Sequence, residues 1–250
     1  MHDYMLPLAR LAGNSLKVVF YDQIGCGRSE RPEDPSLFTI RHGVEEVEGV
    51  RRALNLDSFQ LLGSSYGGQL ALEYALKHQS HLEKLVVTGG YASVSEAVRE
   101  MNRLKKQLPR EIQRSLAKYE RLWAYQHPEY LKALRFYYRK FFCRMRKWPK
   151  EVVRTLDLIS VPVHWLMNGP DELTLTGNLR KWDITTKLPK IHVPTLITTG
   201  RYDLVSPNTA KTLNRGIPNS RLVVFEKSSH LPMWEERELY LKTVKEFIMN

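Results

Sequence analysis

The pentapeptide Gly63-Ser64-Ser65-Tyr66-Gly67 constrains the fold of this chain more than any other stretch. It follows an apolar segment, residues 59–62, that is typical of a strand, and it leads into residues 67–72, which are typical of a helix. The flanking glycines let neighbouring backbone approach Ser65, so that this residue can adopt a strained conformation. The sequence therefore predicts a nucleophile elbow that presents the Ser65 hydroxyl above the end of a sheet. A serine-rich turn without chemistry is the alternative interpretation.

An acid and a base follow the serine in the expected order. A serine hydroxyl becomes a competent nucleophile only when a base removes its proton and an acid orients that base. Residues 194–200 read as a buried strand, and Asp203 follows at its carboxyl end. Residues 221–225 read as the next strand, and His230 lies in the loop after it. The order Ser65, Asp203, His230 is that of an α/β-hydrolase triad. The alternatives are a turn residue for Asp203 and an ordinary loop histidine for His230.

Composition is typical of a globular enzyme. A chain of 250 residues, 42% hydrophobic and 26% charged, is long enough for one core and an insertion. Only Cys26 and Cys143 are present, far apart in sequence, so neither a disulfide framework nor a metal site is predicted. The sequence shows no secretory leader pattern and no apolar run of about 18 residues. We expect a cytoplasmic protein without a membrane partner.

The segment between residues 92 and 150 differs from the remainder in pattern and in charge. It has no strand pattern, and its helical stretches are interrupted at Pro109, Pro128 and Pro149. It holds 16 Lys or Arg residues against 5 Asp or Glu residues, so the whole net charge of +11 lies in this insert. A basic insert can steer acidic peptides or bind an acidic partner, although solvated helix faces explain the same charge. No nucleic-acid-binding signature accompanies it.

Segments outside the triad carry a family resemblance; they are Phe20-Tyr21-Asp22-Gln23-Ile24-Gly25-Cys26-Gly27-Arg28-Ser29, Met167-Asn168-Gly169-Pro170, Trp182-Asp183-Ile184-Thr185, Ser229-His230-Leu231 and Met233-Trp234-Glu235. With them the chain resembles the proline iminopeptidases, and most closely the tricorn-interacting aminopeptidases of archaea. The resemblance spans nearly the whole chain. It implies an α/β-hydrolase fold, with a mostly parallel sheet, helices on both faces and a helical lid insertion. It also implies release of N-terminal residues, proline among them, from short peptides.

The resemblance assigns roles to two further residues. The backbone N–H of Tyr66, directly after the nucleophile, corresponds to one donor of the family's oxyanion hole. Glu172 matches a glutamate that binds the α-ammonium group of the substrate; without the resemblance it reads as an exposed loop acid. Close family members have a second acid directly after the triad Asp, but Leu204 occupies that position here. This departure weakens the expected amine recognition unless Asp171 or another carboxylate contributes.

The beginning of the chain is a second departure. In the family a His-Gly-Gly-Pro-Gly loop precedes the segment that matches residues 2–5 and supplies another oxyanion donor; this sequence does not contain it. The resemblance also implies three strands ahead of residue 1, the third of them between a strand predicted at 18–21 and the one at 59–62. Without that third strand, two apolar strand edges lack a partner. We expect the natural polypeptide to begin upstream of Met1; a truncated, catalytically impaired homologue is the alternative.

These observations predict a serine aminopeptidase that acts through an acyl-enzyme. Its expected organisation is an α/β-hydrolase core at 1–91, a helical lid at 92–185 and the rest of the core at 186–250. No cofactor or metal ion is expected. The expected partners are short peptides with a free N-terminus and, through the basic lid, a larger acidic protease, with no nucleic acid or membrane. A general carboxylesterase or amidase of the same fold is one alternative, and a catalytically impaired α/β-hydrolase-like binding protein is another.

Overall fold

Four parallel strands form the sheet, and the computed structural model describes all 250 residues. The strands lie side by side in chain order and are β1 (Phe59–Ser64), β2 (Leu82–Thr88), β3 (Thr195–Gly200) and β4 (Ser220–Phe225). Their registers pair Ser64 with Thr88, Thr88 with Thr198, and Thr198 with Val223. The carboxyl ends of the strands therefore meet at one edge of the sheet, where α/β proteins place their chemistry.

Ten α-helices accompany the sheet: α1 (Ile40–Ala53), α2 (Tyr66–His78), α3 (Val94–Lys105), α4 (Arg110–Arg121), α5 (Pro128–Phe141), α6 (Lys150–Asp157), α7 (Val161–Met167), α8 (Ser206–Gly216), α9 (Pro232–Glu235) and α10 (Arg237–Met249). Short 3₁₀ helices occupy Asp3–Leu11, Pro35–Leu37, Gln79–His81, Asn178–Lys181 and Thr185–Lys190. No helix combines the length and the apolar character that crossing a bilayer requires.

Helices cover both faces of the sheet because alternate strand residues point to opposite sides. Leu85 and Val87 of β2 pack with α1, α2 and α8 in one apolar cluster. Val86, between them, packs with α10 and the 3₁₀ helix Asp3–Leu11 in another cluster. The sheet is thus enclosed on two sides, as the α/β-hydrolase fold predicted from the sequence requires.

The chain between β2 and β3 forms an insert with an apolar cluster of its own. Helices α3, α4 and α5 bury side chains such as Met101, Leu116 and Tyr137 against one another. The prolines that interrupt the helical pattern stand at helix beginnings: Pro109 and Pro149 cap α4 and α6, and Pro128 is the first residue of α5. A proline fits there because the first turn of a helix leaves its N–H groups unused.

The two ends of the insert are hydrogen-bonded to each other. Val94 N donates to Trp182 O at 3.0 Å, and Ile184 N donates to Ala92 O at 2.8 Å. The indole of Trp182 packs against the clusters of the core and of the insert, and its Nε1 donates to Glu73 Oε1 of α2 at 2.7 Å. Trp182 therefore fastens the insert to the core at the point where the chain returns.

The prediction of a strand at residues 18–21 is wrong. The backbone groups of residues 17–21 make no backbone hydrogen bond, and β1 is an edge strand with β2 as its single neighbour. An apolar segment becomes a strand only when a neighbouring strand completes its hydrogen-bond ladder, and no strand pairs with residues 17–21. Helix α9 ends at Glu235 and α10 begins at Arg237, so Glu236 separates the last two helices of the chain.

Replacing Trp182 tests whether packing or the hydrogen bond fastens the insert. We expect Trp182→Ala to lower the free energy of unfolding by about 3 kcal/mol, because it empties a site between two apolar clusters. Trp182→Phe keeps most of the packing and loses the bond to Glu73, so a loss of about 1 kcal/mol is expected. Urea unfolding measures both; equal losses would show that the hydrogen bond, rather than packing, carries the stabilisation.

Candidate active site

Ser65 lies in a strained turn between β1 and α2. Its backbone has φ 56° and ψ −127°, a region that non-glycine residues seldom occupy. The turn is held because Ser65 N donates to Thr88 O, the last residue of β2, at 2.9 Å, and Gly68 N donates to Ser65 O at 2.8 Å. The hydroxyl of Ser65 makes no hydrogen bond to a protein group and lines the large cavity of the molecule. These are the features of the predicted nucleophile elbow.

The two elbow glycines differ in what they contribute. A Cβ on Gly63 would lie 2.0 Å from the carbonyl oxygen of Gly67, so no other residue fits at position 63. A Cβ on Gly67 would meet no atom within 4 Å. The close approach expected from both glycines therefore depends on Gly63 alone.

Asp203 and His230 form a buried pair beside the elbow. Asp203 follows β3, His230 follows β4, and His230 Nδ1 lies 2.8 Å from Asp203 Oδ1. The two side chains are 0% and 2% exposed, respectively. The carboxylate of Asp203 also accepts hydrogen bonds from Val205 N at 3.0 Å and from the Thr199 hydroxyl at 3.2 Å. Asp203 thus binds Nδ1–H and leaves Nε2 as the nitrogen that can exchange a proton.

The environment of His230 favours its charged form. Burial alone would lower the pKa of this imidazole, but the charge and hydrogen bond of Asp203, together with the charge of Glu172, raise it above its ordinary value. His230 and Ser65 line the same cavity, although no hydrogen bond joins them. Such contacts commonly tighten only when substrate is bound.

Two glycines make room for the histidine at the ends of the strands. A Cβ on Gly89, just after β2, would lie 2.8 Å from His230 Cε1 and 3.1 Å from Asp203 Oδ2. Gly89 also has φ +56°, which suits glycine. A Cβ on Gly200, the last residue of β3, would lie 2.0 Å from Ser229 O. Gly200 ends the strand predicted at residues 194–200, whereas Gly89 follows a strand for which no prediction was made, so neither glycine could be assigned this role from the sequence.

The histidine loop is held from two directions. Glu235 accepts Ser229 N at 2.7 Å and Arg144 N, from the insert, at 2.6 Å. His230 N donates to Phe142 O of the insert at 3.2 Å, and the rings of Phe142 and His230 lie 5.6 Å apart. The insert therefore takes part in positioning the base. Glu235 belongs to a motif that carried the resemblance, but its contact with the insert has no sequence signal.

The cavity that contains Ser65 has a volume of about 970 Å³ and a mostly apolar lining. It also exposes His230, Tyr66, Glu172 and Leu204, whereas Asp203 lies behind the histidine. The backbone N–H of Tyr66 makes no hydrogen bond and stands at the N-terminus of α2, where the helix dipole favours negative charge. It is available as a donor to an oxyanion next to Ser65.

Glu172 is the predicted amine anchor, and its carboxylate has one protein partner among the side chains. His164 Nε2 of α7 lies 3.1 Å from Glu172 Oε1, and 32% of the Glu172 side chain stays accessible. Burial opposes ionisation of Glu172, but the hydrogen bond and charge of His164, with the charge of His230, lower its pKa. The carboxylate is therefore ionised and faces the cavity.

Neither of the other predicted positions supplies a second acid. Asp171 is buried, accepts the hydroxyl of Tyr130 and Leu173 N, and does not line the cavity. Leu204 is 2% exposed and contributes an apolar wall. The chain thus presents a single carboxylate, Glu172, to a substrate amine near His230.

Known proteins are similar to this chain over nearly its whole length. A family model described as the alpha/beta hydrolase fold matches residues 5–237. The proline iminopeptidase of Saccharolobus solfataricus is 47% identical over 249 residues, which cover 99% of this chain and 80% of that protein. The solved structure of VinJ superposes with a TM-score of 0.96 at 33% identity, covering 100% of this chain and 86% of VinJ. For the proline iminopeptidase of Mycobacterium smegmatis the TM-score is 0.92 at 30% identity, with 99% and 85% covered.

Gly89→Ala tests the space beside the triad. We expect labelling of Ser65 by a fluorophosphonate to slow about 100-fold, because the added methyl group displaces His230 by a few tenths of an ångström or more. Gly49→Ala is the matched control, since a Cβ there meets nothing within 4 Å. Equal labelling rates for the two variants would contradict the steric argument.

Alanine substitutions also distinguish the roles of the two elbow glycines, Gly63 and Gly67. Gly63→Ala should lower the free energy of unfolding by about 1–3 kcal/mol and abolish labelling, because the new methyl group meets backbone. Gly67→Ala should keep the fold and raise stability by up to about 1 kcal/mol, as expected for an unhindered helical glycine. Urea unfolding and fluorophosphonate labelling measure both; a Gly67→Ala protein as damaged as Gly63→Ala would refute the assignment.

Proposed function

This chain belongs to the proline iminopeptidase family of α/β-hydrolases, and we propose that it releases N-terminal residues, proline in particular, from short peptides through an acyl-enzyme. The observation that carries the proposal is the arrangement of Ser65, His230 and Glu172 around one cavity. A nucleophile and its base act on a carbonyl, and a carboxylate close to them binds the ammonium group at the end of a peptide. The enzyme is accordingly a serine hydrolase of the prolyl aminopeptidase type.

The reaction is two successive acyl transfers. His230 Nε2 takes the proton of Ser65 Oγ as this oxygen attacks the carbonyl carbon of the first peptide bond, and the Tyr66 N–H stabilises the oxyanion. The tetrahedral intermediate collapses, the C–N bond breaks, and His230 gives its proton to the leaving amine. Water then attacks the ester carbonyl, again with His230 as base, and Ser65 leaves with the returned proton. Asp203 holds the imidazole and stabilises its charged form throughout.

The amine end of the substrate determines where the chain is cut. An ammonium group bound to Glu172 places the first carbonyl, two bonds away from the nitrogen, near Ser65. An acylated N-terminus has no positive charge to bind and adds bulk at this end. The apolar walls, Leu204 among them, suit a pyrrolidine ring or another nonpolar side chain. Cleavage is thereby limited to the first residue.

Two alternatives predict different behaviour. A general esterase or amidase would share Ser65, Asp203 and His230 but would not depend on Glu172. A catalytically impaired binding protein would not react at Ser65 at all. Glu172 lines the same cavity as Ser65 and acts on His230 through its charge, and this position of an ionised carboxylate favours the aminopeptidase.

The proposed surroundings of the enzyme follow from its surface and its cysteines. Cys26 and Cys143 are free, which supports the reducing cytoplasm as its compartment. For the basic insert we propose an acidic partner such as a larger protease. Leu122 and Trp123, at the end of α4, are 58% and 68% exposed beside Arg121, and exposed Trp with Arg is typical of a binding surface.

Comparing free and N-acetylated proline anilides tests amine recognition. We expect the free substrate to be cleaved with a kcat/KM at least about 100-fold higher, because only it carries the charge that Glu172 binds. The Ser65→Ala protein is the control for background hydrolysis. Equal rates for the two anilides would refute the aminopeptidase and favour the general amidase.

Glu172→Gln tests the anchor itself. Removing the charge while keeping the shape should raise KM for the free anilide and lower its kcat/KM by about 10- to 100-fold. The smaller rate with the acetylated anilide should not change. Steady-state kinetics measure both; an unchanged preference for the free amine would place the anchor elsewhere.

A further inference from the structure

His164 occupies an oxygen of the amine anchor and has no place in the mechanism above. Its ring lies between two acceptors: Nδ1 is 2.8 Å from the carbonyl oxygen of Gly169, and Nε2 is 3.1 Å from Glu172 Oε1. Nδ1 must donate, because a carbonyl oxygen only accepts. One further proton then lies between Nε2 and Oε1. The pair of His164 and Glu172 as a whole is neutral in this state.

This neutral pair is poorly suited to bind an ammonium group. A substrate cation would approach Glu172 while an imidazolium already holds Oε1, and the two like charges would lie within a few ångströms of each other. The residue directly after Asp203 is Leu204, which adds no second carboxylate to the site. The charge of Asp171 also acts on His164, but Asp171 does not line the cavity in which the ammonium group would bind. The ammonium and the imidazolium therefore compete for one carboxylate.

The other acids that line the cavity or lie close to the pair are engaged elsewhere. Glu46 accepts Ile24 N at 2.7 Å, and Glu83 accepts the hydroxyl of Ser58. Asp171, which also acts on His164 through its charge, is buried and bonded to Tyr130. Glu172 is thus the one carboxylate available to pair with either the His164 imidazolium or the substrate's ammonium group.

We propose that His164 is a proton-linked counter-ion of the amine anchor, and that binding of the substrate's ammonium group expels the proton from His164. This inference rests on the proposed function, because it needs Glu172 to bind the substrate amine. After the exchange, Glu172 pairs with the ammonium, and neutral His164 still donates Nδ1–H to Gly169 O, while its deprotonated Nε2 no longer donates to the carboxylate. One proton leaves to solvent for each substrate bound.

The direction of the pH dependence follows from the pair. Burial would lower the pKa of His164, but the hydrogen bond and charge of Glu172 raise it above its ordinary value. Below that pKa the imidazolium neutralises Glu172, so KM for a free-amine substrate is high. Above it the anchor is free, so KM falls until the substrate amine itself loses its proton at higher pH.

The other groups that face the pair do not produce this effect on KM. Burial raises the pKa of Tyr4 to about 12, and burial also raises those of Tyr91 and Tyr138, so all three phenols stay neutral. His230 also titrates, but it must be neutral to accept the proton of Ser65, so its protonation lowers kcat. The two histidines can therefore be separated by measuring KM and kcat independently.

Kinetics of three proteins test the proposal with the free proline anilide. In the unchanged protein, KM should rise about tenfold per pH unit below the pKa of His164, as linkage to one proton requires. In His164→Gln, which is neutral at every pH, KM should be low and constant across the acid range, while the fall of kcat caused by His230 persists. In His164→Arg, which is always charged, KM should be high and constant. Thermal unfolding establishes that each variant is folded.

Calorimetry gives a readout that does not need turnover. Binding of the free anilide to Ser65→Ala protein, measured in two buffers of different ionisation enthalpy, should release close to one proton at acidic pH. The Ser65→Ala, His164→Gln protein should release none. Release that is the same in both proteins, or a KM profile that persists in His164→Gln, would overturn the role of His164.

The outcome separates the two proposals. If free and acetylated anilides are cleaved equally, the aminopeptidase function fails. If the free amine is preferred and the acid rise of KM remains in His164→Gln, that function stands and the counter-ion is refuted.

Discussion

The 2.8 Å contact between Asp203 and His230 is the interaction to which the rest of the site is fitted. Two ionisable groups without solvent contact are costly to bury unless every polar atom finds a partner. Here Val205 N and the hydroxyl of Thr199 donate hydrogen bonds to the Asp203 carboxylate, and the backbone N–H of His230 donates to Phe142 O. The strand ends supply the space, because the aligned registers bring Gly89 and Gly200 against the same loop.

The insert contributes to chemistry in two distinct ways. Its segment around Phe142 and Arg144 is hydrogen-bonded to the loop of the proposed base, His230, and its later segment carries His164 and Glu172, which line the cavity. A cover that only excluded solvent would need neither contact. The proposed base and the proposed amine anchor are both positioned by the insert, so we expect a change in its packing to affect reactivity and recognition together.

The family, the fold and the order of the reactive residues could be predicted from the sequence because each depends on local patterns. An apolar run before Ser65 and a helical pattern after it identify the elbow, and Asp203 and His230 follow predicted strands. The strand β2, which lies between β1 and β3, intervenes between the strand of Ser65 and that of Asp203, so the three residues do not follow successive strands.

What could not be predicted depends on contacts between distant parts of the chain. An apolar run at 18–21 has strand character, but its state is decided by whether a partner lies alongside. Gly89 is required because of a side chain 141 positions later in the chain. His164 matters because α7 turns its ring towards Glu172, and the tie between Trp182 and Glu73 joins segments with unrelated patterns. The periodicity and spacing of residues in the sequence do not indicate which distant side chains come into contact.

The hydrogen-bonded ends of the insert have a consequence for how such enzymes diverge. Since the chain leaves and re-enters the core at one small antiparallel bridge, between Ser93 and Asp183, a differently built cap could be spliced there without disturbing the sheet. The contacts of Phe142 and Arg144 with the histidine loop oppose that freedom, because a foreign cap would leave the base unsupported. The bridge between residues 93 and 183 would let one insert replace another without a change in the sheet. The contacts with the histidine loop require that a new insert evolve together with the core.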